Sequence, residues 1–212
     1  MPADLHLIHS DRSLVVVNKP GGLLAVPGRG PDKQDCIVNR ARQRFPDMVP
    51  QPAVHRLAMQ TSGLMLLART AGAHRELSRQ FAQRLVRKRY IALLEGTLPT
   101  DAGTIALRFR LDPENRPHQV YDPDNGKKGV TLWRKLAEEA TGTRVEFTPL
   151  TGRTHQLRLH AAHRLGLNAP IIGDSLYGNG SFGERMFLHS SYLAFIHPET
   201  GIPREFFSEP PF

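Results

Sequence analysis

Short apolar segments bounded by glycine or proline are the feature of this sequence that most restricts its fold. Residues 14–18 form a β-branched run that stops at Pro20-Gly21-Gly22, and residues 63–68 are apolar throughout. Runs of this length and composition predict buried strands. The same reasoning predicts strands at residues 90–94, 104–109, 130–136, 144–150 and 187–196. The chain is therefore predicted to be rich in β-sheet.

Amphipathic periodicity predicts only three helices, at residues 35–45, 73–85 and 154–165. The side chains predicted to face the core are Ile37, Val38, Ala41 and Phe45, then Ala73, Leu77, Phe81 and Leu85, then Leu157, Ala161 and Leu165. Residues 112–129 predict a long exposed loop or arm, and residues 174–183 an irregular glycine-rich stretch. Because strands outnumber helices and do not alternate strictly with them, the pattern favours an α+β fold.

The length favours one domain spanning residues 1–212 or two closely fused lobes, with 40% hydrophobic residues to build a core. No apolar run approaches the roughly 20 residues of a membrane helix, and residues 1–11 lack the layout of a signal peptide. Cys36 is the only cysteine, which excludes an intrachain disulfide and a thiolate metal cluster. We expect a monomeric cytoplasmic protein without a membrane partner.

Positive charge is concentrated in one part of the chain. The formal net charge is +8, and the isoelectric point is about 10.1. Between residues 69 and 90 the only acidic residue is Glu76, and the basic residues are Arg69, Arg75, Arg79, Arg84, Arg87, Lys88 and Arg89. Such a run attracts polyanions such as a phosphate backbone. A solvated helix face explains it equally well, so charge alone leaves both interpretations open.

Two other patterns invite functional hypotheses. Gly178–Gly183 matches the dinucleotide fingerprint and would support a nucleotide-dependent oxidoreductase, but that fingerprint must open a helix, and here a predicted strand follows. His155, His160 and His163 share one predicted helix, yet no carboxylate or thiolate accompanies them in a zinc-binding motif. We therefore expect neither a nucleotide cofactor nor a metal.

The segment His55-Arg56-Leu57-Ala58-Met59-Gln60-Thr61-Ser62-Gly63 resembles the signature of RluA-type RNA pseudouridine synthases, in which His-Arg-Leu-Asp is followed two residues later by Thr-Ser-Gly. Further family-like blocks occur in the same order at residues 17–23, 88–90, 150–160, 173–178 and 188–189. The resemblance covers nearly the whole chain. It implies one catalytic domain without a separate N-terminal RNA-binding domain, built on a long mixed, largely antiparallel sheet with a basic cleft across its middle.

The resemblance also implies a reaction. Uridine within a folded ribosomal or transfer RNA stem-loop becomes its C-glycoside isomer without any cofactor, after the base is flipped out of its stack. The catalytic positions are Ala58, Tyr90 and Arg158. Tyr90 can stack on the uracil, and Arg158 would pair with the catalytic aspartate. The RNA-binding positions are His55, Arg56, Arg87, Lys88, Arg153, His155 and Leu188.

The sequence departs from the family pattern at Ala58, which occupies the position of the catalytic aspartate. A methyl group can neither attack a sugar nor accept a proton, and residues 48–75 contain no Asp or Glu. We therefore expect a catalytically inactive chain. Either it is a deliberately inactivated variant, which the retained residue types of the other blocks favour, or it is a natural RNA-binding protein or chaperone that uses the same cleft. Arg158 is then expected to lack its carboxylate partner and to recruit an anion or water.

Overall fold

The computed structural model describes residues 4–212. In chain order its elements are β1 (Leu7–Ser10), β2 (Leu14–Lys19), a short 3-10 helix (Pro31–Lys33), α1 (Ile37–Arg44), β3 (Ser62–Ala68), α2 (Ala71–Ala82), β4 (Arg87–Leu94), β5 (Ala102–Leu111), β6 (Gln119–Tyr121), β7 (Lys127–Glu139), β8 (Gly142–Pro149), α3 (Gln156–Ala162), β9 (Leu188–Ile196) and β10 (Pro203–Phe207). Across these described residues, no helix combines the length and apolar character needed to cross a membrane. The chain forms two compact units, one of residues 4–88 with His189–Pro211 and one of Arg89–Leu188 with Phe212.

The first unit contains β1, β2, β3, β9 and β10. Antiparallel pairing joins β1 to β2, β2 to β3, and β9 to β10, whereas β3 and β9 run parallel. Leu64 and Leu66 of β3 pack with Ala73 and Leu77 of α2, so this helix covers one face of the sheet. The pattern of one parallel pair among antiparallel ones makes the sheet mixed.

A close backbone approach explains the glycine at position 63. Its φ is +109°, and an added Cβ would lie 2.4 Å from the carbonyl oxygen of Ser190 on β9. Any side chain would therefore separate β3 from β9 at the point where the two strands pair.

The second unit contains an antiparallel sheet in the order β4-β8-β7-β5-β6. Its core includes Phe109, Trp133 and Phe147 from the strands and Leu157 from α3. The α+β class and the largely antiparallel mixed sheet flanked by helices are thereby confirmed. The seven predicted strands are also confirmed, with ends shifted by a few residues.

Some local predictions were wrong. Helix α3 ends at Ala162, and Leu165, predicted to be buried, is 51% exposed. Leu85 lies beyond the end of α2 and is also exposed. The predicted loop at residues 112–129 contains β6 and the start of β7. The edge strands β1 and β10 were not predicted at all.

Candidate active site

A buried lysine holds the segment that carries position 58. Lys19, at the end of β2, is fully buried. Its ammonium group donates hydrogen bonds to the carbonyl oxygens of Pro20 (2.8 Å), Leu23 (2.7 Å) and Met59 (2.8 Å). Burial lowers the pKa of Lys19 to about 7. Three N–H donors match three acceptors, so Lys19 fixes the residue next to Ala58 to the end of β2.

Position 58 lies in a tight turn, in which the backbone N–H of Thr61 donates to the carbonyl oxygen of Ala58 at 3.1 Å. Leu57 is buried, Ala58 is half-buried, and Arg56 is exposed. Arg56 is therefore accessible from solvent, and the methyl group of Ala58 offers no reactive atom.

His55 has a structural place within the first unit. Its Nε2 accepts a hydrogen bond from the backbone N–H of Leu66 at 2.9 Å, and its ring stacks on Phe81 with 4.5 Å between centroids. Burial, and secondly the charge of Lys88, lower the pKa of His55 to about 3. A neutral imidazole that already accepts a backbone N–H stabilises the segment and brings no positive charge to a phosphate.

Arg87 and Lys88, which open β4, differ in exposure. Arg87 is exposed and forms a surface ion pair with Glu205 at 3.1 Å. Lys88 is half-buried, with its Nζ 5.8 Å from the centroid of the Phe81 ring, and burial lowers the pKa of Lys88. Arg87 is therefore the more accessible cation of the two.

Arg158 has a protein counter-ion, which corrects the expectation of an unpaired guanidinium. Its Nε and Nη2 donate to the two carboxylate oxygens of Asp174 at 2.7 and 2.5 Å, and both residues are buried. The backbone N–H groups of Leu176 and Tyr177 also donate to Asp174. Burial raises the pKa of Asp174, but the hydrogen bonds and charge of Arg158, with those backbone donors, outweigh it and leave this pKa below its usual value. Asp174 lies within one of the family-like blocks, at residues 173–178. Nothing in that block predicts that Asp174 pairs with Arg158.

Tyr177 connects several site residues of the second unit. Its hydroxyl lies 2.9 Å from Nδ1 of His155 and accepts a hydrogen bond from the backbone N–H of Gln119 at 2.8 Å. The Arg158 guanidinium carbon lies 5.3 Å from the centroid of its ring. His155, which precedes α3, has a left-handed φ of 54°. The structure thus gathers His155, Arg158 and Asp174 around Tyr177, a residue that sequence reasoning did not single out.

The remaining predicted residues of the second unit lie either in its core or on its surface. Leu188 is buried in the core cluster, and the half-buried Tyr90, opposite Phe147 in the β4–β8 ladder, packs against the same cluster. Arg153 is exposed, and its backbone N–H donates to Oε1 of Gln156. Tyr90 therefore has a face against the core, whereas Arg153 is accessible from solvent.

The two competing motifs have other structural roles. The stretch Gly178–Gly183 forms turns, and no helix begins in it, so it lacks the context of a dinucleotide fingerprint. The buried His160 has its Nδ1 3.0 Å from the Thr131 hydroxyl, and burial lowers the pKa of His160 to about 4. His163 accepts a hydrogen bond from the backbone N–H of Leu165.

Known proteins are similar to this chain in both sequence and fold. The family model described as RNA pseudouridylate synthase matches residues 13–163. A dual-specificity RNA pseudouridine synthase RluA from Yersinia pestis is 40% identical over 210 residues, covering 97% of this chain and 99% of its own. The enzyme of the same name from Haemophilus ducreyi is 44% identical over 215 residues, covering 98% and 94%. The solved human RNA pseudouridylate synthase domain containing 1 is 30% identical with a TM-score of 0.79, over 100% of this chain and 86% of its own.

The chain therefore belongs to the pseudouridine synthases, the isomerases that modify uridine in RNA. Its similarity to the RluA enzymes over nearly their full length supports the RluA type within that family.

Proposed function

We propose that this chain binds a folded ribosomal or transfer RNA as a monomer in the cytoplasm and flips a uridine out of its stack, but does not isomerise it. The parent reaction is the conversion of that uridine to pseudouridine. In it the N1–C1′ bond breaks, the uracil rotates, C5 bonds to C1′, the C5 proton leaves and N1 is protonated. The observation that carries the proposal is alanine at position 58 within an otherwise complete family signature.

The proposed roles follow from side-chain chemistry and exposure. Arg56, which is exposed, stacks in the space that the flipped base leaves and contacts a phosphate. Tyr90 stacks on the uracil and relays the proton that leaves C5. Arg87, Arg153 and His155 contact phosphates, with a weaker contribution from the half-buried Lys88.

The buried carboxylate of the second unit does not replace the missing aspartate in this proposal. Both oxygens of Asp174 accept hydrogen bonds from Arg158, and its pKa is held below the usual value. Asp174 is also buried, and the backbone N–H groups of Leu176 and Tyr177 donate to it as well, so its oxygens are not accessible to a ribose or to a proton of a bound RNA. Catalysis is therefore expected to require a carboxylate at position 58.

The test restores that carboxylate. RNA transcripts carrying tritium at C5 of uridine release it when C5 bonds to the ribose, so tritium release measures turnover directly. We expect no release by the unaltered chain and release by Ala58→Asp on its cognate ribosomal or transfer RNA, without added metal or nucleotide. Comparing pseudouridine maps of source cells that carry the Ala58→Asp gene with those of cells that carry the unaltered gene identifies that RNA.

Ala58→Asn is the matched control, because it has nearly the same shape as aspartate but no carboxylate, and it should remain inactive. Turnover by the unaltered chain would refute the inactivity. An inactive Ala58→Asp on a verified cognate RNA would refute the role assigned to position 58 and favour an RNA chaperone.

A further inference from the structure

The glycine-rich stretch that resembles a dinucleotide fingerprint carries the most exposed large hydrophobic side chain described in residues 4–212. Phe182 is 89% exposed, followed by Phe207 at 61%. We call residues 178–185 the Phe182 loop. Isolated exposed hydrophobic residues are common on protein surfaces, but Phe182 is held in place by the packing of its loop.

The base of the Phe182 loop is tightly packed. The backbone N–H groups of Gly178 and Gly180 donate to the carbonyl oxygen of Asp174 at 3.0 and 3.3 Å. A Cβ on Gly180 would lie 2.4 Å from the carbonyl carbon of Gly173, so only glycine allows these two backbone segments to meet. The side-chain amide of Asn179 donates to Glu95 at 2.7 Å. The base is therefore anchored without any contribution from Phe182.

The tip of the loop closes on itself. The backbone N–H of Ser181 donates to the Glu184 carboxylate at 2.8 Å, and the backbone N–H of Glu184 donates to the carbonyl oxygen of Ser181 at 3.1 Å. Gly183 supplies the left-handed turn, with φ +94°. These reciprocal bonds occupy the one carboxylate of the tip and hold Phe182 outward, and Arg185, three residues further along the chain, is exposed.

The anchor of the loop is also a site residue, because Asp174 holds the Arg158 guanidinium. An aromatic ring held outward on a closed turn, in a loop that ends in an exposed arginine and in a protein of net charge +8, has the chemistry of a base-stacking platform. Every nucleobase presents a π-face, and stacking on an aromatic side chain contributes affinity largely independent of sequence.

We propose that Phe182 stacks on an unpaired base of the RNA substrate and forms a binding contact additional to the uridine site. The proposal rests on the proposed function, because it requires that the chain bind RNA. A base that remains in a continuous duplex cannot offer its face to the ring, so the contact applies to loop or flipped-out nucleotides.

The test compares the affinity of the full chain and its variants for in vitro transcribed transfer RNA and for a blunt RNA duplex. We expect Phe182→Ala to weaken transfer RNA binding about tenfold and to leave duplex binding unchanged. Phe182→Leu, which keeps apolar bulk without a π-face, should weaken binding similarly. Phe182→Trp should bind within about twofold of the unaltered chain, and its exposed indole fluorescence should be quenched by RNA.

Phe207→Ala is the matched control, since it removes another exposed phenylalanine, on β10, and should leave affinity unchanged. Because stacking transfers no charge, the salt dependence of Phe182→Ala binding should equal that of the unaltered chain. Unchanged thermal midpoints exclude misfolding. If the unaltered chain binds transfer RNA and Phe182→Ala binds it equally well, this inference alone fails. If the unaltered chain binds no RNA, the proposed function fails and this inference with it.

Discussion

The contact between Arg158 and Asp174 is an ion pair inside the second unit. Both side chains are buried, and arginine cannot lose its charge by deprotonating. Removing one partner of such a pair leaves a buried charge without compensation, which is the costly event in buried ion pairs. Because Arg158 already has this counter-ion, restoring a carboxylate at position 58 is not expected to stabilise the protein through Arg158.

Asp174→Ala should lower the free energy of unfolding by about 3–5 kcal/mol, because it leaves the Arg158 guanidinium buried and unpaired. Urea denaturation at neutral pH measures this change. Asp101→Ala is the control, since Asp101 pairs with Lys135 on the surface with 86% of its side chain exposed. A surface pair of this kind contributes less than about 1 kcal/mol.

The pH dependence of the same variant gives an independent check. The pKa of Asp174 in the folded protein lies below the value of about 3.9 for an unfolded aspartate. As the pH falls below about 5, Asp174 is protonated in the unfolded chain before it is protonated in the folded protein. The stabilisation from the Arg158–Asp174 pair therefore decreases until the pH reaches the pKa of Asp174 in the folded protein. The stability difference between the unaltered chain and Asp174→Ala should therefore narrow below about pH 4. If this stability difference stays constant from pH 6 to pH 3, the Arg158–Asp174 ion pair is not the source of the stabilisation.

At the scale of elements, Tyr177 docks the short strand β6 against the rest of the second unit. Its hydroxyl accepts the backbone N–H of Gln119, a buried residue of β6. His118, just before the strand, has its Nε2 3.1 Å from the carbonyl oxygen of Leu176. This docking organises part of the region that composition predicted to be an exposed loop.

Tyr177→Phe should release this docking while keeping the ring beside Arg158. The Gln119 amide would lose its acceptor, which costs about 1–3 kcal/mol for a buried group. Hydrogen exchange should show this amide exchanging about tenfold faster or more. Tyr121→Phe, in the same strand but partly exposed, is the control and should leave the rate unchanged. If the Gln119 amide exchanges at the same rate in the unaltered chain, Tyr177→Phe and Tyr121→Phe, the docking of β6 by Tyr177 is contradicted.

The elements that sequence reasoning found and missed differ in a physical way. Strand β3 is buried throughout and strand β2 at every residue except the half-buried Asn18, so their apolar composition was sufficient to predict them. The edge strands β1 and β10 contain no buried residue and the three-residue β6 depends on Tyr177, so local composition gave no signal for them. The same limit applies to the site. Family-like blocks made Arg158 and Tyr90 candidate site residues, but the pairing of Arg158 with Asp174 and the hydrogen bond from Lys19 to Met59 are tertiary contacts that spacing does not encode.

For the whole molecule, the net charge of +8 and the family assignment together predict how RNA affinity depends on salt concentration. Each phosphate neutralised by Lys or Arg releases condensed counterions, so affinity falls linearly with salt on logarithmic axes. The unaltered chain should therefore bind RNA despite Ala58, and binding should weaken steeply between low and physiological salt. Equilibrium titrations at four or more salt concentrations give the slope.

Arg87→Glu should reduce the magnitude of that slope by about one and weaken binding, because it removes one accessible phosphate contact. Lys88→Glu should also weaken RNA binding. Because the Lys88 side chain is half-buried over the Phe81 ring, the thermal midpoint of this variant must also be compared with that of the unaltered chain. Arg42→Glu, on the exposed surface of α1, changes the net charge by the same amount and should leave the slope intact. If Arg42→Glu and Arg87→Glu reduce the affinity equally, binding depends on net charge and not on a defined contact. If affinity is indifferent to salt, phosphate contacts do not drive binding at all.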